Sequence, residues 1–408
     1  MPIPLAIAAF HLWHEYRQEK FIEGIEWVLL EIQVPREVVK TPKAMELIFS
    51  NAFYHKSIKG FWEQYIQGAP WLWFSLEIAS IDGHVHFFIR TPSRVRSLVE
   101  TQIYGQFPQA KVVEAKDYVF DIPIYKRNGD WNVWACEFTK KRPDPEPIKT
   151  YTTIDEMKSG TKEEYKVDPI TPVIEYMGAL PKGQQVWMQI LIRQSIKKYP
   201  SKHGHHKIDF DAYVKQHLDE ILTPYTRMHP GEGPSGETTK EIRAPSYVDP
   251  SVKEIVKNMQ QLHFDCGIRL VSLANKKYNS EQDFTNLRKD VRLLFRQYAA
   301  PNLNQLERIN STQFDAPWSD PTGLALTKIK KRMLDFYRLR TFFHPPLQYS
   351  INYPGLISTF FPSHRPQIFV MSTEELATIF HFPGMVSETP TFKRVESKIA
   401  KPPSNLPT

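Results

Sequence analysis

Histidines are the first candidates for chemistry: His203, His205 and His206 crowd into KHGHH, where imidazoles could meet a zinc or nickel ion. Near-adjacent histidines in a polar stretch need a fixed scaffold to converge, and no cysteine or second histidine pair stands at ligand spacing, so the stretch reads as a solvated loop. His84 and His86, two apart on a predicted strand, share a face and read as exposed or packed strand residues. The glycine-bearing GEGPSGETTK lacks the G-x-x-x-x-G-K-[ST] spacing and the preceding hydrophobic strand that a phosphate loop requires. Neither G-x-S-x-G nor H-E-x-x-H occurs. The expectation is a chain that is not an enzyme, with no catalytic residue, cofactor or metal site.

Two patterns could instead bind a polymer or a partner. Alternation places Trp71, Trp73, His86 and Phe88 on the sheet face opposite an aliphatic row, where bases can stack on aromatic rings, or where a second domain can pack. Arg288, Lys289, Arg292 and Arg296 recur at three- and four-residue spacing, with Lys328, Lys330, Lys331 and Arg332 further on. That pattern fits a phosphate backbone or a solvated helix face.

These residues sit in 408 residues that are 41% hydrophobic and 24% charged, which excludes a disordered or collagenous chain and allows two or three domains. A net charge of +7 is compatible with nucleic acid or an anionic membrane and demands neither. Cys136 and Cys266 stand alone, so a reducing setting without disulfides is expected. The apolar run from Pro2 to Trp13 is about half of the ~20 residues a spanning helix needs. It reads as the tail of a membrane helix or an interfacial anchor, with a buried N-terminal helix as the alternative.

The elements that must position these residues follow a recurring order. Trp27 to Val34 reads as a strand stopped by Pro35, and Thr41-Pro42 opens a helix to about Tyr54. Trp71 to Ala79 and His84 to Arg90 flank the hairpin signal Asp82-Gly83. Ser93 caps a helix to about Tyr104, and Lys111 to Lys116 is a last short strand. Strands at Gln185 to Ile192, Cys266 to Ala274 and Leu303 to Ile309, with helices from Ser251 to Leu262 and Gln282 to Tyr298, give a second, imperfect set. Ser372 and Glu375 form a capping box after a strand at Gln367 to Met371. The fold class is α+β, with two ferredoxin-like βαββαβ halves and a proline-rich C-terminal linker segment. The expected divisions are a membrane-proximal segment (1–22), half 1 (23–121), a connecting segment (122–180), half 2 (181–312, with a polar insertion at 197–247) and a C-terminal strand, helix and linker (313–408).

The runs at 26–50 (EWVLLEIQVPREVVKTPKAMELIFS), 73–92 (WFSLEIASIDGHVHFFIRTP) and 147–193, and the exit from FVMSTEELATIFHFPG to KPPSNLP, carry a resemblance over roughly residues 15–407. They resemble the amino-terminal region of membrane-associated ATPases, the type IV secretion and conjugation-like, HerA/FtsK-related proteins of candidate-phyla bacteria. The resemblance implies an uncharacterised, non-catalytic accessory module that positions or oligomerises a motor, here without the ATPase domain. Expected partners are that ATPase motor domain in cis or in trans, a second copy of the chain, DNA, and the membrane through the N-terminal segment. The expected location is the cytoplasmic face of the inner membrane, peripheral or anchored by a missing upstream helix. A single-stranded nucleic-acid-binding module using the aromatic face and basic helix is the alternative.

Overall fold

Asp82 and Gly83 adopt φ of 53° and 82°, the pair of left-handed residues that a two-residue hairpin needs to match strand twist. The chain therefore folds back sharply between two strands of alternating apolar residues. The computed structural model describes residues 2–35, 41–55, 59–157, 168–202, 206–229, 239–242, 245, 248–313, 318, 320–346 and 366–383. They form a mixed helix-and-sheet, α+β structure.

The first set of elements is β1 (Trp27–Gln33), α2 (Lys43–Ile48), β2 (Trp73–Ile81), β3 (His84–Pro92), α3 (Arg96–Gln106) and β4 (Lys111–Glu114), preceded by α1 (Pro2–Glu23). A π-helical turn, Phe49–Phe53, prolongs α2, so the helix opened by Pro42 reaches almost the expected end. Ser93 makes no side-chain cap and instead starts a 3₁₀ turn leading into α3. The second set is β5 (Trp131–Lys140), α4 (Tyr151–Met157), α5 (Thr171–Gly178), β6 (Gln184–Gln194), α6 (Phe210–Leu222), α7 (Asp249–Met259), β7 (His263–Asn275), α8 (Glu281–Val291) and β8 (Leu306–Ile309). After it come α9 (Leu324–Arg338), β9 (Phe369–Ser372) and α10 (Thr373–Ile379).

These strands make one nine-stranded sheet in the order β8-β5-β7-β6-β2-β3-β1-β4, with β9 beside β7. Neighbours pair antiparallel. Strands β1 and β2, linked through α2, therefore run parallel with β3 between them, while β3 and β4, linked through α3, enclose β1. Strands β5 to β8 repeat the arrangement. The two sets meet where β2 pairs with β6 from Trp73↔Arg193 to Ile81↔Gln185. The hairpin tip ties them further, because Gly183 N donates to Asp82 Oδ1 at 2.8 Å.

The sheet has two unlike faces. Leu76, Ile78, Phe87, Ile89 and Ile190 face a layer containing Ile48, Phe49, Val99, Ile174, Leu287 and Phe380, contributed by α2, α3, α5, α8 and the end of α10. On the other face Ala79, Phe88, Trp187 and Val271 meet Tyr118, Val119 and the α9 residues Met333, Leu334 and Tyr337. Burying both faces at once is what lets the central strands carry nearly continuous apolar runs.

Three expectations change. The segment at 122–180, read as a connection, contains β5, a ten-residue strand that is the first of the second set. Its alternation was obscured because both its faces are buried. The helix expected from Gln282 to Tyr298 ends at Val291, and Arg296–Tyr298 is a separate 3₁₀ turn. Strand β9 and helix α10 belong to the core: β9 pairs with β7, and every residue of α10 is buried. The capping box from Ser372 to Glu375 is present, and Glu375 also binds Lys140 at 2.7 Å with both side chains buried. Within 197–247, α6 packs Phe210 and Val214 against Ile255 and Val370. The stretch PGEGPSG and the proline-rich segment after residue 383 lie outside the described residues.

Gly267, in the middle of β7, has no room for a side chain, since a Cβ there would come within 2.4 Å of the Phe342 ring. Gly267→Ala is expected to cost about 1–3 kcal/mol through overpacking. In denaturant titrations, adding Phe342→Leu should recover part of that loss, and strict additivity of the two changes would show that the ring does not oppose the new methyl.

Candidate functional site

A polar row crosses the α9 face. Cross-strand register puts Glu77 of β2 opposite Gln189 of β6, Gln189 opposite Arg269 of β7, and Arg269 opposite Glu137 of β5. All four side chains are buried. Arg269 donates from Nη2 to Glu137 Oε1 at 2.7 Å and from Nη1 to Gln189 Oε1 at 3.2 Å. Asn310 Nδ2 donates to the other Glu137 oxygen at 3.0 Å. Glu77 accepts from Ser75 Oγ at 2.6 Å, Tyr118 Oη at 2.8 Å and Gln189 Nε2 at 3.2 Å.

Arg340 closes the row. Its guanidinium forms a fork on Glu77 at 2.9 and 3.1 Å and a second on Asp117 at 2.5 and 2.8 Å. Burial by itself would raise the Glu77 carboxyl, but Arg340 outweighs it and holds the carboxyl below its usual range. The guanidinium reaches this position because α9 ends in a left-handed cap: Thr341 N donates to Phe336 O and Arg340 N to Tyr337 O. Arg340 occupies the left-handed residue at φ 49°, a place glycine normally takes. The ion pairs offset that backbone cost. Burial also raises the phenols of Tyr118 and Tyr337, which share a 2.8 Å hydrogen bond beside Glu77.

Chemically, this row is a set of acids and bases bound to one another. Glu77 is paired with the Arg340 guanidinium and Glu137 with that of Arg269. Cys136 and Cys266 are buried, and burial raises both thiols, away from the thiolate form. Among the described residues no group of three or more His, Cys, Asp or Glu side chains is arranged to hold a metal ion.

The residues singled out by sequence are scattered around this row. Trp73, His86 and Phe88 do share the α9 face, as alternation requires, but it is not an open face. Phe88 is buried and stacks on Tyr118 at 4.9 Å and on His86 at 5.7 Å. Trp73 is buried against Trp27 at 4.8 Å, with Nε1 donating to Arg340 O at 3.2 Å. His86 Nδ1 lies 2.7 Å from Glu31 Oε1. The cover this face needs comes from the chain itself. Trp71 precedes β2 and lines a different cavity, of about 690 Å³, with Lys197, Lys198, Phe210 and His263.

The basic helix also divides. Arg288 lies over Phe284 at 5.9 Å and Arg292 over Trp134 at 5.3 Å, with Arg292 donating to Gln313, whereas Lys289 and Arg296 are exposed. The end of α8 at Val291 interrupts the expected stripe. Across from it Lys330 is brought down to about 8 by burial and by the charge of Arg288, so the two cationic elements do approach each other. Of the KHGHH histidines, His203 and His205 lie outside the described residues.

Sequence reading missed Glu77, Glu137, Gln189, Arg269 and Arg340. The signal was present as single polar residues inside WFSLEIAS, WACEFT, VWMQILI and CGIRLVSLA, because a charge within an apolar strand must find a partner when buried. No protein-family model matches the chain, and no curated protein is detectably similar to it in sequence.

Arg340→Met is expected to destabilise the fold by about 3–5 kcal/mol by stranding a buried carboxylate, with Glu77→Leu recovering much of it in the double variant. Chemical denaturation of the four proteins tests this, and equal losses in the single and double variants would contradict it. A pH dependence follows from His263 and His344, whose imidazoles burial pushes from 6.5 to about 4 and about 3. With folded values below unfolded ones, the unfolded chain takes up protons first. Stability should therefore be fully present above pH 6.5 and fall below it, by up to about 1.4 kcal/mol per pH unit for each histidine. His263→Gln should flatten this slope; an unchanged slope in urea titrations from pH 7 to 4 would count against it.

Proposed function

We propose that the chain is a non-catalytic accessory module of a type IV secretion or conjugation-like translocating ATPase, holding or oligomerising the motor at the inner face of a membrane. In this reading each set of strands is a ferredoxin-like unit, and the shared sheet makes the pair one rigid platform. Support for the unit assignment is the strand order, with each helix-linked pair enclosing a strand of the other pair. The buried acids and bases support a scaffolding role, since they bind one another and α9.

The observation that carries the reading is an aromatic surface at the N-terminal helix. Helix α1 is attached through Arg17 Nε, which donates to Ile66 O at 3.2 Å, and through His14, whose Nε2 lies 3.0 Å from Gln64 O. It leaves Phe10, Leu12 and Trp13 exposed. Phe61 and Trp62, 71% and 64% exposed, continue the surface through Tyr65, which packs on Phe61 at 5.0 Å and His14 at 5.7 Å. Aromatic side chains beside Arg17 and Lys20 suit the boundary between headgroups and acyl chains. No described helix is long and apolar enough to cross a membrane.

The test has two arms. Flotation with anionic vesicles should recover the chain, carbonate or salt should release it, and Trp13→Ala, Phe61→Ala and Trp62→Ala together should abolish recovery. Light scattering should show a monomer or weak oligomer alone and a defined ring or dimer with a translocating ATPase encoded beside it. Absence of both membrane and motor binding, with a salt-dependent shift of a single-stranded oligonucleotide, would replace this reading by the nucleic-acid one.

A further inference from the structure

A cavity of about 570 Å³ lies between α1, the ends of β1 and β3, and the segment that follows α9. Its size is within the range of small-ligand sites. Arg90 lines the cavity with its guanidinium over the Trp27 ring at 4.2 Å. That guanidinium makes no hydrogen bond or ion pair with a described residue. The carboxylates whose charge it feels, Glu77 and Asp117, are both committed to the forks of Arg340. Burial, followed by repulsion from Arg340, brings Arg90 down to about 10, so it stays cationic at neutral pH. A half-buried cation to which the described residues offer an aromatic face but no hydrogen-bonded anion is incompletely compensated, because a ring supplies less than a carboxylate or phosphate fork.

Two further features point into the same space. His344 lines the cavity beside Trp73, at 5.8 Å between rings, and its buried Nε2 has no hydrogen-bond partner among the described residues. With its imidazole held neutral by burial, Nε2 can donate or accept a hydrogen bond. Helix α1 adds carboxylates to the lining with Glu15 and Glu19, one helical turn apart, and Asp117 lines the cavity as well. Trp27, Trp73 and Phe343 add aromatic lining.

We propose that this cavity binds a small zwitterion, with its carboxylate or phosphate forked by Arg90, its ammonium at Glu15 and Glu19, and its apolar body between the aromatic walls. A simple anion would leave Glu15 and Glu19 without a counter-charge, and a simple cation would leave Arg90 uncompensated. Ligand binding here would couple α1 to the sheet, since the site draws residues from both. This inference goes beyond the accessory-module reading and does not depend on it.

The test is isothermal titration of the full chain with phosphocholine and with phenylalanine, using inorganic phosphate and tetramethylammonium as controls that carry charge of one sign only. Saturable binding of at least one zwitterion is expected, about tenfold or more tighter than either control, with Arg90→Gln weakening it about tenfold and Glu19→Gln several-fold. Because Arg90→Gln disturbs a packed strand, phenylglyoxal modification of the unaltered protein provides a second readout. Saturating probe should protect Arg90 from modification, as mapped by mass spectrometry. Phosphatidylcholine vesicles separate a lipid headgroup from a free ligand: binding that needs Arg90 assigns the headgroup to the cavity. The proposal is overturned if neither zwitterion saturates up to about 10 mM, if Arg90 is modified equally with and without probe, or if vesicle binding is the only binding and Arg90→Gln leaves it unchanged.

Discussion

Glu77 sits at the centre of a nine-stranded sheet with both faces covered, and a carboxylate in that position needs a cation. The cation arrives from residue 340, far along the chain, on a segment bent into place by the left-handed cap of α9. Much of the second face depends on this contact. Asp117 is recruited by the remaining guanidinium nitrogens and brings Tyr118 and Val119 onto the sheet. Trp73 hydrogen-bonds the carbonyl of Arg340 itself. Replacing such pairs by apolar residues often leaves stability unchanged, so their value here is better placed in register: the polar row allows α9 and the strands beneath it one relative position.

The same row joins the two halves. Glu77 belongs to β2, whereas Gln189 and Arg269 belong to β6 and β7, so the β2–β6 seam carries side-chain hydrogen bonds as well as a backbone ladder. Either half alone would expose the pairing edge of β2 or β6 and part of a polar network. An exposed edge invites pairing with other chains. The C-terminal strand and helix add a further long-range clasp, since β9 extends the sheet beside β7 and Glu375 neutralises Lys140 at the end of β5.

Around this sheet, the periphery carries surfaces of a different character. Helix α1 shows aromatic residues to solvent and places carboxylates over the Arg90 cavity, while α8 and α9 bring cationic side chains near one another. A core that consumes its charges internally leaves recognition to such peripheral groups. The proposed membrane attachment and zwitterion binding both draw on α1.

Local patterning determined the elements. Asp82-Gly83 required a hairpin, the alternation of Phe74, Leu76 and Ile78 set which side of β2 meets the helices, and Ser372 with Glu375 marked the start of α10. These signals are short-range: turn geometry, side-chain period and capping act within a few residues. Alternation also placed Trp73, His86 and Phe88 together, but whether that face was open depended on α9 and Tyr118, which arrive from elsewhere in the chain. Strand β5 was missed because burial on both faces removes the polar half of the pattern. The pairing of β2 with β6, the partner of Glu77 and the stacking of Arg90 on Trp27 were decided by tertiary structure alone. A charge in an apolar run announces that it needs a counter-charge, but which one it meets is set by sheet order and by the path of a segment more than two hundred and fifty residues away.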